Sequence, residues 1–479
     1  MTPLLRAALP LLTGAVIALL PTPSGLAPHA WWYFAVFVAV ILALITEPIP
    51  AASVGLIGVT VVAVTGLVFT PIQRADPAFR VPAESIKWAL AGFANSTVWL
   101  IFGAFVFAMG YEKTGLGRRI ALGLVRWLGG RTLGLGYAIA LADLVLAPFT
   151  PSNTARSAGA IYPVIRNIPE LYGSHANDSP RRIGGYLMWV AFATTCVTSS
   201  MFVTALAPNL LAIELVRKAA GIEITWMEWF LGFLPIGALL VLTLPWLVYW
   251  FHPPEIKVSA DVPKWAAREL VAMGRVTRRE WTMAALVVFA LALWIVGARW
   301  VDATTVALAA ISLMLVCRVV TWDEILANKP AWNVLAWFAT LVVLADGLNR
   351  VGFVGWFGRH AADLFAGYAP TTVMLMLVAL FFVIHYLFAS LTAHTTAVLP
   401  VIFAAGMAVP DLPVRSFALL LGYSLGIMGV LTPYATGPAP VYYGSGFFSR
   451  KDFWLLGAGF GAIFLGALLL MGPPLLKGQ

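Results

Sequence analysis

The chain has 479 residues, 61% of them hydrophobic and only 11% charged, whereas soluble domains carry about 25% charge; a soluble core protein is excluded. Apolar runs of roughly 20 residues recur along the whole length, the signature of membrane-spanning helices. A net charge of +9 would suggest nucleic acid in a soluble chain, but Lys and Arg in cytoplasmic loops explain it here, and no nucleic-acid partner is expected.

The first segment, Leu4 to Leu20, has one Arg and no small-residue cleavage site, so it reads as a retained helix near 5–21 and not as a signal peptide. Residues 1–27 are taken as this N-terminal transmembrane unit. Single helices then fit near 30–47, 51–70 and 94–112. The basic amphipathic stretch Leu116 to Arg131, with Arg118, Arg119, Arg126 and Arg131, should lie along the membrane surface. Next comes an interrupted apolar segment, 132–170. A long segment, 184–216, is broken near Thr204-Ala205-Leu206-Ala207-Pro208-Asn209, and a helix at 228–250 closes a first repeat, 28–251.

Residues 252–280 form the longest polar loop, with Lys257, Lys264, Arg268, Arg275, Arg278 and Arg279, and the positive-inside rule puts it in the cytoplasm. The second repeat, 281–479, follows the same order. Helices fit near 281–300, 303–319 and 333–348. An interrupted segment covers 370–408, a segment broken at Thr432-Pro433-Tyr434-Ala435-Thr436-Gly437-Pro438-Ala439-Pro440 covers 413–447, and a last helix covers 453–472. The 19 Trp suit interfacial belts. Cys196 and Cys317 both lie in apolar runs and suggest neither a disulfide framework nor a metal site; no cofactor is expected.

The two interrupted segments share a skeleton. Ser152, Thr154 and Arg156 stand at steps of two, as do Ser390, Thr392 and His394, and a proline follows each set, Pro163 or Pro400. Glu112-Lys113-Thr114-Gly115 falls opposite Asn349-Arg350-Val351-Gly352 at nearly the same offset, which marks a repeat. Five spanning helices plus a re-entrant hairpin per half give an odd number of crossings, so the second copy is inverted. Charge agrees: five Lys or Arg lie between 113 and 131, but only Arg350 and Arg359 follow helix 333–348. The expected fold is an all-α polytopic membrane protein of two inverted repeats, each with a re-entrant hairpin and a broken helix, an architecture of secondary transporters.

Backbone groups freed by a break in hydrocarbon cost several kcal/mol each unless they are buried or line a wet cavity. Pro151 and the caps Ser152, Asn153 and Thr154 suit the start of a short helix whose free N–H groups attract anions. Two such ends meeting from opposite sides would hold one carboxylate each. A proline kink with Ser and Thr bonding back explains a single break, but two matched breaks beside broken partner helices favour a binding site. Arg156 inside an apolar segment costs about 3 kcal/mol on insertion scales and needs a substrate anion or a fixed partner. His394 matches it in the second half, while His385 has no counterpart and reads as structural. Asp143 and Glu47, the main acids in apolar runs, show no paired-carboxylate spacing, and no zinc-protease, hydrolase or Walker A motif is present.

The motifs SNTARSAG and SLTAHTTAVLP, with TPYATGPAPVYYGSG, resemble the divalent anion/sodium symporter family. They are most similar to its exchanger branch, the bacterial citrate/succinate and tartrate/succinate antiporters and the plastid 2-oxoglutarate/malate translocators. The resemblance covers nearly the whole chain. It implies a homodimer with a static scaffold and a mobile transport domain that moves as an elevator in a bacterial inner membrane. It also implies that di- or tricarboxylates bind at Ser152, Asn153 and Thr154, at Ser390 and Thr392, and at Ala435, Thr436 and Gly437.

Three departures from the sodium-coupled members favour exchange. Leu391 stands where they have Asn. Leu206-Ala207-Pro208-Asn209 and Thr436-Gly437-Pro438-Ala439 replace their Thr-Pro-Pro-Asn. Arg156 and His394 stand where their sodium ions sit. Arg156 cannot leave or deprotonate, so on this reading the empty site is charged and only the dianion-loaded carrier crosses. Arg156 and His394 are thereby the expected charge-coupling residues of a sodium-independent antiporter. A sodium-coupled dicarboxylate symporter is the alternative, and a membrane enzyme acting on a small carboxylate is a more distant one.

Overall fold

The structure, a computed structural model, describes residues 3–176, 178–365 and 367–476. Among these residues every regular element is helical, and a single isolated β-bridge joins Arg131 to Val258. Six helices are long and apolar enough to span a bilayer: Pro28–Thr46, Thr132–Phe149, Trp226–Phe251, Lys329–Arg350, Pro370–Leu387 and Arg450–Leu476. Val81–Ala94 and Ser96–Thr114 together are also long and apolar enough to span, but are bent by 41° at the break between them. The bend falls at Asn95, whose Oδ1 caps the second part by accepting from the Thr97 and Val98 amides at 2.9 and 3.3 Å.

Two groups of helices pack around the core. In one, Ala51–Thr65 and Ser96–Thr114 lie against Lys329–Arg350, and Ser96–Thr114 also packs on Ala303–Val316. In the other, Gly184–Met201 crosses Val414–Ile427 between the long helices Trp226–Phe251 and Arg450–Leu476. That crossing is close because Gly426 has no side chain; a Cβ there would stand 2.4 Å from Ser200 Oγ. Ser200 Oγ in turn donates to the Tyr423 carbonyl at 2.7 Å and accepts from the Ile427 amide at 3.0 Å.

Two of the apolar helices do not continue but turn back. The first hairpin enters through Thr132–Leu146, turns at residues 147–153 and returns through Thr154–Ile161 and Tyr162–Ile165. Its two ends meet the same stretch of chain: Thr132 N donates to the Lys257 carbonyl at 3.1 Å, and the Asp261 amide donates to Tyr172 Oη at 3.2 Å. The second hairpin has limbs Pro370–Ile384 and Leu391–Met407. The helix that leads into it, Phe353–Leu364, also packs on the end of its second limb, where Gly358 faces Ala404 and Ala408.

Among the described residues, three helices of ten or more residues are missing from the sequence-based expectation: Val81–Leu90, Asp261–Ala272 and Phe353–Leu364. Val81–Ala94 carries Glu84 and Lys87, which masked its apolar face. Asp261–Ala272 lies inside the polar stretch taken as a loop. Leu116–Leu128 lies against Asp261–Ala272 through Arg118, which donates to Glu269 at 2.9 Å, and reaches Arg278–Ile295 through Arg119, which donates to Glu280 at 2.5 Å.

Candidate functional site

At the first tip the chain is extended at Thr150 and then re-enters a helix as a wide π-type turn over Thr154–Ile161. Such turns leave main-chain groups less regularly paired and cluster at functional sites. Ser152 Oγ accepts from the Ala155 amide at 3.2 Å, and the Arg156 amide donates to the Ser152 carbonyl at 2.9 Å. The second tip repeats this geometry: Ser390 Oγ accepts from the Ala393 amide at 3.3 Å, and the His394 amide donates to the Ser390 carbonyl at 3.0 Å. The skeleton shared in sequence is therefore a shared N-cap. Each serine oxygen accepts, so each hydroxyl hydrogen is left to donate beside the positive end of a helix.

The first tip docks on the second broken helix. Asn153 Nδ2 donates to Thr436 Oγ1 at 2.7 Å. Gly437 lies so close to Thr154 that a Cβ would stand 1.8 Å from its Oγ1. Farther along the limb, the Ser157 and Tyr442 hydroxyls are 2.8 Å apart. Asn153, Thr154, Thr436 and Gly437 thus come together directly. Ala435 reaches the second hairpin through its carbonyl, which accepts from His385 Nε2 at 2.9 Å. Ser390 and Thr392 are half-buried on that hairpin, and among the described residues neither hydrogen-bonds to the first tip.

The first broken helix opens after Met201 and resumes at Ala207, slightly earlier than the sequence placed the break. Its freed carbonyls are claimed by Asn209 Nδ2, which donates to Ser199 O at 2.7 Å and Phe202 O at 3.2 Å. The first hairpin covers the same break: Thr204 Oγ1 donates to the Pro148 carbonyl at 2.7 Å, and the Ala207 amide to the Pro151 carbonyl at 2.9 Å.

Of the two expected reasons for the place of Arg156 in the apolar segment, a substrate anion or a fixed partner, the structure supplies a fixed partner. Its Nε donates to Asp143 Oδ2 at 3.1 Å, with both side chains fully buried. Nη1 donates to the carbonyls of Thr150 and Ala205, each at 3.0 Å. Nη2 donates to Ser199 Oγ at 2.9 Å and to Thr195 Oγ1 at 3.2 Å, with Thr198 Oγ1 at 3.4 Å. All five N–H groups of a guanidinium are thereby placed. Thr198 Oγ1 also donates to Asp143 Oδ2. Asp143, set aside for want of a paired carboxylate, is the counter-ion.

His394 is buried among rings, with centroids 4.4 Å from Phe381 and 5.0 Å from both Phe388 and His385. Neither of its ring nitrogens has a hydrogen-bond partner among the described residues. Its sequence match to Arg156 does not extend to an ion pair.

Beside the first tip lies a cavity of about 1290 Å³. Ser152, Thr154 and Ala155 line one part of it, and Lys113, Arg118, Arg166 and Asn167 line another. Lys113 is bound to Glu324 at 2.5 Å and holds that carboxyl below the usual carboxylate range. The basic helix Leu116–Leu128 and Met273 also border the cavity.

The profile described as "Sodium:sulfate symporter transmembrane region" matches residues 2–475. The chain belongs to this family. An L-tartrate/succinate antiporter of Escherichia coli (strain K12) is 52% identical over 466 residues, covering 97% of this chain and 96% of that one. The L-tartrate/succinate antiporter of Shigella sonnei is 51% identical over the same shares. Two solved structures share the fold at low identity. The Alcanivorax borkumensis YdaH transporter has a TM-score of 0.58 at 17% identity, covering 85% of this chain and 90% of its own. Neisseria gonorrhoeae MtrF has a TM-score of 0.56 at 12% identity, covering 88% and 94%. Membership makes the chain a multi-pass secondary transporter of the divalent anion/sodium symporter family, not an enzyme.

Proposed function

We propose that this chain exchanges four-carbon dicarboxylates across a bacterial inner membrane, L-tartrate against succinate, without sodium. The names of the relatives supply the substrate pair. The observation that carries the rest is the cage around Arg156. The Asp143 carboxylate, the Thr195, Thr198 and Ser199 hydroxyls and the Thr150 and Ala205 carbonyls are the oxygens a hard cation would take. A guanidinium tethered among them neither dissociates nor deprotonates. The first hairpin then holds its shape with no ion drawn from the medium, which is what an exchanger requires.

Asp143 changes where the coupling resides. The Arg156–Asp143 pair is close to neutral, so charge alone no longer forbids an empty return. The penalty falls on the tips, where the Ser152, Thr154, Ser390 and Thr392 hydroxyls and the helix-start amides would cross hydrocarbon without acceptors. A dicarboxylate supplies acceptors to both tips at once. His394 keeps a coupling role in this proposal through its place in the second hairpin, the counterpart of Arg156, where an approaching anion offers its ring a polar partner. The two hairpins and two broken helices move together as an elevator past the group built on Lys329–Arg350, in a homodimer.

The test is counterflow in proteoliposomes with succinate inside and labelled L-tartrate, succinate, citrate, malate or 2-oxoglutarate outside. The proposal expects rapid uptake of the four-carbon dicarboxylates, recovered chemically unchanged, and none into liposomes without internal substrate. Equal uptake into empty and loaded liposomes contradicts exchange, and an altered product contradicts a carrier.

A further inference from the structure

His385 stands outside the residues so far given to the site. Its ring is wholly buried at the turn that ends the first limb of the second hairpin. Nε2 lies 2.9 Å from the Ala435 carbonyl. A carbonyl only accepts, so Nε2 carries the hydrogen. Nδ1 has no partner among the described residues. The one polar contact of this buried ring is therefore spent on the main chain of the second broken helix.

That carbonyl occupies a sensitive place. Ala435 lies in the open stretch between Met428–Val430 and Ala439–Gly444. The next two residues carry the docking of the first tip, with Thr436 accepting from Asn153 and Gly437 lying against Thr154. The segment 435–437 is thus pinned on one flank by Asn153 of the first hairpin and on the other by His385 of the second.

We propose that His385 is a positioning residue for carboxylate binding: its Nε2–H fixes the Ala435–Gly437 backbone in register with Ser152–Thr154 and does not itself touch substrate. The inference rests on the dicarboxylate reading above. The competing role is simple filling, since the ring also stands edge-on to His394 with centroids 5.0 Å apart. Phenylalanine would preserve that role, but not the hydrogen bond.

The experiment compares wild type, His385→Phe and His385→Gln in proteoliposome exchange of labelled succinate. Glutamine places its amide nitrogen as many bonds from Cβ as Nε2 is, so it keeps the donor without the ring. One neutral buried hydrogen bond governs up to about a tenfold effect. His385→Phe should raise KM about tenfold with the maximal exchange rate within about twofold of wild type, and His385→Gln should restore KM to within about threefold. In an Asn153→Ala background, His385→Phe should add less than about threefold, because both residues hold the same segment. Wild-type KM in His385→Phe, or full multiplication of the two effects, overturns the proposal. If His385→Phe does not fold, His385→Gln decides alone: a KM near wild type supports positioning and a raised KM overturns it. Failure of wild type to exchange succinate would refute the dicarboxylate reading itself, whereas normal exchange with indifferent variants refutes only the role of His385.

Discussion

In the proposed exchange the buried pair of Arg156 and Asp143 stands in for an exchangeable cation. A buried ion pair gains little over an apolar pair of the same size, but removing one partner costs about 3–5 kcal/mol because the other charge is stranded. Arg156→Ala leaves Asp143 in a cage of hydroxyls and carbonyls, so its melting temperature in detergent should fall well below wild type. Asp143→Asn with Arg156→Ala should recover part of that loss, because the stranded charge is gone. Equal melting temperatures in the single and double variants would show that the pair is not an electrostatic unit. The sequence exposed Arg156 through its cost and its match to His394. It hid the partner, because Asp143 lies on the opposite limb of a hairpin and only the turn brings the two together. Gly437 was legible as part of a family motif, while its physical reason, the contact with Thr154 Oγ1, appears only in three dimensions. Gly437→Ala should displace Thr154 and raise the KM for dicarboxylate roughly ten- to a hundredfold, the range of a 1–3 kcal/mol overpacking strain. A wild-type KM would place the substrate away from this contact.

At the scale of elements, each break is paid for locally by side chains that take over the helix bonds. Asn209 does this for the first broken helix, with two carbonyls bound through one nitrogen. Asn209→Ala leaves both carbonyls buried without that donor, and such loss costs about 1–3 kcal/mol. Denaturation in mild detergent should show a lowered midpoint, with exchange reduced in proportion to folded protein; an unchanged midpoint would mean that the break is held elsewhere. The hairpins and breaks were legible because proline and small polar residues interrupt apolar runs with a shared spacing. The helices Val81–Ala94 and Asp261–Ala272 were not, because charged residues on one face lower the apolar signal that a membrane reading follows. The helix start expected near 94 falls at the Asn95 cap, but without Val81–Ala94 the bend between the two could not be read.

At the scale of the whole molecule, the cavity joins the first tip to the basic helix Leu116–Leu128. The cavity is lined from distant parts of the chain, from Phe105 through Ser152 and Met273 to Pro330, which no local sequence pattern encodes. The central claim is that a tethered cation replaces an exchangeable one. It is tested most directly by uptake of labelled succinate into succinate-loaded and empty proteoliposomes, in sodium or choline buffer, for wild type and Arg156→Ala. The account predicts that wild type exchanges equally in both buffers and does not fill empty liposomes. It predicts that residual transport by Arg156→Ala is enhanced by sodium, because the vacated oxygens of Asp143, Thr195, Thr198 and Ser199 can take an ion. Sodium-driven accumulation by wild type in empty liposomes would contradict the account, and so would an Arg156→Ala variant that exchanges like wild type with no response to sodium.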